Sequence, residues 1–173
     1  MNFVELTVSV LLLAATPSVA RAETFGTWVV TTTADGVHVA STTNGNSHTL
    51  GMYCNPSTGS CVWALSLSGA CVEGSRHPVL VNTDLGTGAM DLFCTRALIR
   101  DTGRSFYVFS EVNLITASVL QGSGLGVALP FERDQFHVDR FDLTGGASAI
   151  AAMKSGAESP NGARRPRAGE QQL

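Results

Sequence analysis

Lysine is almost absent from this chain of 173 residues, in which Lys154 is the single example. Between Glu23 and Met153, six arginines stand against eleven acidic residues, which gives this stretch a net charge of −5. An acidic domain without lysine is a poor electrostatic match for the phosphate backbone of DNA or RNA. We therefore expect no nucleic acid partner.

Sequence motifs of the common catalytic sites are missing as well. No G-x-S-x-G turn, which exposes the nucleophilic serine of many hydrolases, occurs in the chain. Asp101-Thr102-Gly103 has the order of an aspartic protease loop, but no partner loop supplies the second carboxylate that this chemistry needs. The glycine-rich stretch Gly122–Gly126 matches neither of the two common phosphate-binding patterns, G-x-G-x-x-G and G-x4-G-K-[ST]. We predict that the protein is not an enzyme and has no catalytic residue.

The histidines give no sign of a metal or cofactor site. None of the four has a histidine partner at i+4; they are His38, His48, His77 and His137. We expect His137 to face solvent, opposite an apolar face formed by Phe136 and Val138, and His77 to lie in a loop. The sequence therefore predicts no metal ligand and no cofactor, although a Ser-His-Asp triad is defined in space and leaves no signature in spacing.

The N-terminal residues have the pattern of an export signal. An apolar run from Val4 to Ala20 is followed by Ala20-Arg21-Ala22, with small residues at both flanking positions of a cleavage site. The run is too short and too weakly apolar for a membrane span. We predict a signal peptide over residues 1–22 and a mature, exported protein that starts at Glu23, is periplasmic or secreted, and has no transmembrane segment.

The four cysteines predict disulfide bonds, because an even number in an exported domain is typical of them. They are Cys54, Cys61, Cys71 and Cys94. Three pairings are possible, and we favour Cys54–Cys61, which closes a short hairpin, together with Cys71–Cys94, which ties two later strands. Each bridge would stabilise the fold by roughly 2–4 kcal/mol. A zinc site built from all four cysteines is the rival hypothesis, but the chain lacks the usual pairs of C-x2-C.

Short segments rich in β-branched and aromatic residues, separated by turn signals such as Asn44-Gly45, make up most of the chain. They predict a mainly β domain, a β-sandwich or open β-barrel of about eight antiparallel strands. Two short helices interrupt the strands, one capped by Ser110 and one over Thr144–Met153. Residues 154–173 are too poor in large apolar side chains to fold, so we expect a single domain over 23–153 followed by a disordered tail.

Two stretches resemble a known family. Phe25–Val30, with the sequence F-G-T-W-V-V, is similar to the opening F-G-x-W-x-V of the invasion-associated locus B family of exported bacterial proteins. Phe141–Gly146, followed by Ala149 and Ile150, resembles the closing strand, L-x-G turn and small helix of that family. The resemblance implies a small, β-rich periplasmic or surface-associated protein, with no established catalytic residues to carry over.

Together these observations predict an exported, non-catalytic accessory or binding protein of the bacterial envelope, acting in host or surface interaction on an unknown protein or envelope component. One alternative is a small secreted hydrolase whose active site has no recognisable sequence motif. Another is a protein inhibitor that presents the disulfide-braced loop Asn55–Ser60. A pocket with convergent polar groups and shifted pKa values would favour an enzyme, whereas an exposed apolar patch would favour a binding protein.

Overall fold

The computed structural model describes residues 22–95, 103–130 and 136–158. Within these ranges the chain forms ten strands and two helices, and none of its helices is long and apolar enough to span a membrane. In chain order the elements are β1 (Glu23–Phe25), β2 (Trp28–Thr32), β3 (His38–Thr43), β4 (Thr49–Asn55), β5 (Ser60–Ser68), β6 (Arg76–Thr83), β7 (Gly86–Thr95), β8 (Arg104–Phe109), α1 (Val112–Gln121), β9 (Gly124–Pro130), β10 (Phe136–Asp142) and α2 (Gly146–Glu158).

All ten strands belong to one antiparallel sheet that does not close into a barrel, in the order β1-β2-β3-β4-β5-β8-β7-β6-β9-β10. The predicted mainly β fold with two short helices is confirmed. There are ten strands rather than about eight in part because Gly26, at φ 59°, turns the chain within a stretch expected to be one strand. Although β3 and β10 are far apart in this order, they contact each other across the curled sheet.

The core lies between one face of the sheet and the two helices. Trp28 and Trp63 are both fully buried, and their rings meet edge to face with centroids 6.2 Å apart. The Trp63 indole donates a 2.8 Å hydrogen bond to the Thr116 hydroxyl of α1. Helix α2 covers β2 and β3 and contacts α1. The buried tryptophans therefore anchor both helices to the sheet.

Both disulfide bonds have the pairing that the sequence favours. Cys54 and Cys61 are directly opposite each other on β4 and β5, and Cys71 is bonded to Cys94 of β7. No cysteine is free. The first bridge closes a tight hairpin, and the second fastens the segment after β5 to the middle of the sheet.

Both helices differ from expectation at one end. The residue at the N-cap of α1 is Glu111 and no side chain caps the helix, so the prediction of Ser110 as the cap is wrong. The Ser110 hydroxyl instead accepts a 3.1 Å hydrogen bond from the backbone N–H of Asp91. Helix α2 continues to Glu158, past the expected boundary at Met153. Residues 1–21 of the expected signal peptide and 159–173 of the expected tail lie outside the described residues.

The orientation of β10 is opposite to the prediction. Phe136 and Val138 are 64% and 42% exposed, whereas Asp139 and Phe141 are buried. The register with β9 explains this, because Asp139 is opposite the buried Val127. Successive side chains of a strand point to opposite faces, so a shift of one residue exchanges the two sets. The exchange places a carboxylate inside and an aromatic ring outside.

The two stretches that resemble the family motifs are in contact with each other. The Thr27 backbone N–H donates to the Thr144 carbonyl at 3.3 Å, and the Thr27 hydroxyl donates to the Asp142 carbonyl at 3.2 Å. Gly26 and Gly145 face each other across this contact, which we call the Gly26–Gly145 junction. The junction joins the start of the described domain to the turn that precedes α2.

Candidate functional site

A buried carboxylate joins the last strand to a distant turn. Asp139 of β10 is fully buried, and its Oδ1 accepts hydrogen bonds from the side-chain amides of Asn44 at 2.9 Å and Asn46 at 3.3 Å. The same oxygen is 2.8 Å from Nδ1 of His48. These residues come from the turn between β3 and β4. With His137 they form what we call the Asp139 cluster.

The sequence of the β3–β4 turn positions these donors. The side-chain oxygen of Asn44 accepts hydrogen bonds from the backbone N–H groups of Asn46 at 3.0 Å and His48 at 2.9 Å. Asparagine favours such turns because its side chain can replace a backbone acceptor. With its oxygen engaged in the turn, the Asn44 amide has only its N–H groups left to face Asp139.

Asp139 is ionised at neutral pH. Burial raises the pKa of its carboxyl, but hydrogen bonds from His48, Asn44 and Asn46 outweigh that effect, and the net pKa lies below the ordinary value of 3.8. Its second oxygen, Oδ2, is buried and has no hydrogen-bond partner in the part of the chain that the structure describes. Buried polar atoms are nearly always paired, so this oxygen requires an explanation.

Two further side chains complete the surroundings of Asp139. Nε2 of His137 is 3.4 Å from Asp139 Oδ1, and the His137 side chain is 45% exposed. Nε2 of His48 is 3.3 Å from the hydroxyl of Ser68, the last residue of β5. Ser68, His48 and Asp139 thus stand in the order hydroxyl, imidazole, carboxylate. His48 and His137 have no histidine partner at i+4 in the sequence, yet the fold brings both of them beside Asp139.

Sequence reasoning missed this cluster for two reasons. His48 and His137 are far apart in the chain, and only the curl of the sheet brings β10 to the β3–β4 turn. Alternation places Asp139 on the same side of β10 as His137, which is the side that the sequence predicts to face solvent. The one local signal is an acidic residue within an apolar strand, where the pleat decides whether it faces water or the core.

The other two histidines each have a single hydroxyl partner. Nδ1 of His38 is 3.1 Å from the Thr32 hydroxyl, and Nε2 of His77 is 2.8 Å from the Ser75 hydroxyl. His77 lies in β6 rather than in a loop, and its ring meets Tyr107 edge to face. Neither has a carboxylate among its hydrogen-bond partners in the described ranges.

The face of the sheet that points away from the two helices carries an open groove of about 980 Å³, which we call the outer groove. One row of directly paired residues crosses four strands, from Ala89 on β7 through Leu80 and Ala128 to Val138 on β10. Leu80 is 55% exposed, although it lies in the middle of its strand. The lining of the outer groove also includes polar side chains, among them Asp84, Arg140 and Asp142. The sequence did not predict this surface.

The loop Asn55–Ser60, proposed as an inhibitory loop, is an exposed turn held by the Cys54–Cys61 bridge. The Gly59 N–H donates to the Asn55 carbonyl at 2.9 Å, and the Asn55 side chain accepts from the Ser57 N–H at 2.9 Å. Except for Pro56, its side chains are small or polar. The loop is braced, but it offers no aromatic or aliphatic anchor of the kind that dominates protein interfaces.

No protein-family model matches the sequence, and no curated protein matches it. Among solved structures, the crystal structure of invasion associated protein B from Bartonella henselae is similar, with a TM-score of 0.58 and 16% sequence identity. The match covers 81% of this chain and 100% of that one. At this identity the similarity concerns the fold, and it agrees with the fold that the terminal motifs imply.

Proposed function

We propose that this protein is an exported, non-catalytic binding protein of the bacterial envelope, which acts in host or surface interaction by binding another protein in its outer groove. The exposed apolar row across β7, β6, β9 and β10 carries this proposal. Exposed apolar side chains rimmed by polar ones are typical of ligand-binding grooves, so this row supports a binding role. The two disulfide bonds and the fold similarity to an invasion associated protein are consistent with an exported role.

The side chains around the row suit a protein partner. Phe136, 64% exposed, lies on the same face of β10 as Val138 and extends the apolar surface with an aromatic ring. Aromatic side chains contribute strongly to interface hot spots. At the other end, Asp84 is held in place, because its carboxylate accepts hydrogen bonds from the Ser123 backbone N–H at 2.9 Å and hydroxyl at 3.0 Å. The groove thus combines an apolar floor with a fixed polar end.

Leu80→Asp is expected to weaken binding in the groove, because a partner would have to desolvate the new carboxylate. The dye 8-anilinonaphthalene-1-sulfonate serves as a probe of the apolar floor. We expect saturable fluorescence with the unaltered protein and about tenfold weaker binding with Leu80→Asp. Val72→Asp is the matched control, since Val72 is 76% exposed and lies outside the groove lining. Equal dye affinity in Leu80→Asp and Val72→Asp would show that the dye does not bind at Leu80, and it would contradict binding through the outer groove.

A photo-crosslinking residue at position 80, introduced in the bacterium that makes the protein, tests for a partner. We expect a discrete adduct of higher mass that is absent when the same residue is placed at position 72. Val138→Lys in the same chain should abolish the adduct, because Val138 belongs to the same row. An adduct insensitive to this change would contradict binding through the groove.

A secreted hydrolase is the second candidate, and the alignment of Ser68, His48 and Asp139 favours it. Two observations support the non-catalytic proposal instead. The backbone N–H of Gly69, next to Ser68, donates to the Gly103 carbonyl at 3.2 Å and so is not available to an oxyanion. Asp139 Oδ1 also accepts hydrogen bonds from two asparagines of the β3–β4 turn, so the carboxylate has a structural role in fastening β10 to that turn.

Ser68→Ala decides between these candidates. We expect the unaltered protein and Ser68→Ala to hydrolyse p-nitrophenyl acetate at the same background rate, because Ser68 is not a nucleophile. Ser60→Ala, in the exposed β4–β5 turn, is the control for loss of a surface hydroxyl. Removal of a true nucleophile would lower turnover by several orders of magnitude. A loss of that size in Ser68→Ala alone would establish the hydrolase.

A further inference from the structure

We propose that His48, His137 and Asp139 form a binding site for a divalent transition metal ion, with Zn²⁺ as the fitting ion. One ligand atom of each residue lies within 4.8 Å of the other two. Two imidazoles and one carboxylate are a donor set that zinc uses where it keeps a further coordination position for water. This departs from the sequence analysis, which expects no metal ligand.

The unpaired oxygen of Asp139 is an independent observation that points to the same ligand. Asp139 is fully buried, and its Oδ2 has no hydrogen-bond partner among the described residues. A buried carboxylate oxygen without a partner is costly. A cation beside Asp139 would engage this free oxygen.

The distances fit a site that closes around the ion. Nδ1 of His48 is 2.8 Å and Nε2 of His137 is 3.4 Å from Asp139 Oδ1. Donors bound tetrahedrally to zinc at about 2.1 Å are about 3.4 Å from one another, which is the scale of these separations, and binding through Oδ2 would require both imidazole rings to turn from Oδ1 towards it. His48 is 12% and Asp139 1% exposed, which makes them the fixed part of the site. His137, 45% exposed, faces solvent, where water can complete the coordination.

The neighbouring hydrogen bonds suit this role. With Nδ1 of His48 directed at Asp139, its Nε2 is 3.3 Å from the Ser68 hydroxyl. Metal-bound histidines commonly donate their other ring N–H to such an acceptor, which fixes the tautomer and the ring orientation. Ser68 is then a positioning residue. The amides of Asn44 and Asn46 hold Oδ1 and leave Oδ2 to the ion.

A purely structural hydrogen-bond network is the competing explanation. Such a network would fasten β10 to the β3–β4 turn, and it accounts for the contacts of Asp139 Oδ1. It leaves Oδ2 unexplained, and it gives His137 only a long contact of 3.4 Å with the carboxylate and an edge-to-face contact with the His48 ring. The metal site accounts for both.

Zinc titration of the mature, disulfide-bonded protein tests the site. After chelator treatment and buffer exchange, isothermal titration calorimetry should show one Zn²⁺ per chain with a dissociation constant of about 10 µM or lower. His137→Ala should weaken binding at least about tenfold, as loss of one of three ligands implies. His137 is the residue of choice because it is half exposed and its removal leaves the Asn44, Asn46 and His48 contacts intact. His77→Ala, which removes a histidine outside the cluster, should bind zinc normally.

Cobalt provides a readout independent of affinity. Co²⁺ in a site of low coordination number has intense visible d–d absorption, which we expect in the unaltered protein and in His77→Ala but not in His137→Ala. Leu80→Asp should retain zinc binding, so failure of the groove proposal and failure of the metal proposal are distinguishable. Absence of zinc binding, or equal affinity in His137→Ala and the unaltered protein, would overturn the proposal. Equal losses in His77→Ala and His137→Ala would identify adventitious binding to surface imidazoles and overturn it too.

Discussion

Gly145→Ala is expected to lower the free energy of unfolding by about 3 kcal/mol, because it combines a strained backbone with a steric overlap. Gly145 has φ +91°, a conformation that residues with a Cβ rarely adopt. A Cβ at this position would collide with the carbonyl of Phe25 and the backbone of Gly26. Backbone atoms held in the Gly26–Gly145 junction cannot rotate away as a flexible side chain could. Chemical denaturation of the mature protein at neutral pH measures the loss.

Gly156→Ala is the matched control for this prediction. Gly156 lies in α2, and a Cβ there would meet no atom within 4 Å. Alanine favours helix over glycine, so this variant should be more stable by about 0.5–1 kcal/mol. If Gly145→Ala changed stability by less than about 1 kcal/mol, the two turns would have to separate easily at the junction, and the described close contact would be wrong.

The Gly26–Gly145 junction gives a structural meaning to the family resemblance. The opening and closing motifs are distant in the chain, yet Thr27 donates hydrogen bonds to the carbonyls of Thr144 and Asp142. A Cβ at Gly146 would collide with Val119 and approach Trp28, so this glycine lets α2 lie close to the core. Both motifs therefore serve the closure of the fold. They carry no information about a ligand, which explains why the resemblance implied no site.

Those parts of the fold that depend on local chemistry were predictable. Asn44-Gly45 marks a turn, β-branched runs mark the strands, and Cys54 and Cys61 flank a short hairpin. In each case the deciding interaction lies within a few residues along the chain, so the sequence pattern contains it.

The candidate sites depend on long-range geometry, and there prediction failed. In β10, alternation alone allows Phe136 and Val138, or Asp139 and Phe141, to face the core, and pairing with β9 decides for the second pair. A rule that places apolar residues inside chose the wrong face because this strand exposes apolar side chains at the outer groove. Proteins break such rules mainly at functional surfaces. This error in the facing of β10 hid the groove, and together with the long separation of β10 from the β3–β4 turn in the chain it hid the Asp139 cluster.

Asp139→Asn is expected to lower the free energy of unfolding by about 2 kcal/mol at pH 7, since hydrogen bonds to a buried charged acceptor become weaker neutral ones. The variant retains the shape of the side chain, so its effect reports on charge rather than on volume. The β3–β4 turn would lose much of its attachment to β10, because Asn44, Asn46 and His48 all meet at Asp139 Oδ1. Measurements in the presence of a chelator separate this effect from stabilisation by a bound metal, which binds only the folded state.

The pH dependence of the free energy of unfolding, compared between the unaltered protein and Asp139→Asn, gives the sharper test. The pKa of Asp139 is lowered in the folded protein, so near its ordinary pKa of 3.8 the unfolded chain binds more protons, and stability must rise with pH. The contribution is complete above about pH 5 and is lost as the pH falls through the lowered pKa. Asp139→Asn lacks this titration, so the stability difference should be largest at pH 7 and shrink towards pH 3. Asp35→Asn, which removes a carboxylate from an exposed turn outside the cluster, is the matched control. A constant difference between the unaltered protein and Asp139→Asn from pH 3 to 7 would mean that the Asp139 carboxylate is not stabilised by its charge, and the cluster would then be an ordinary polar contact.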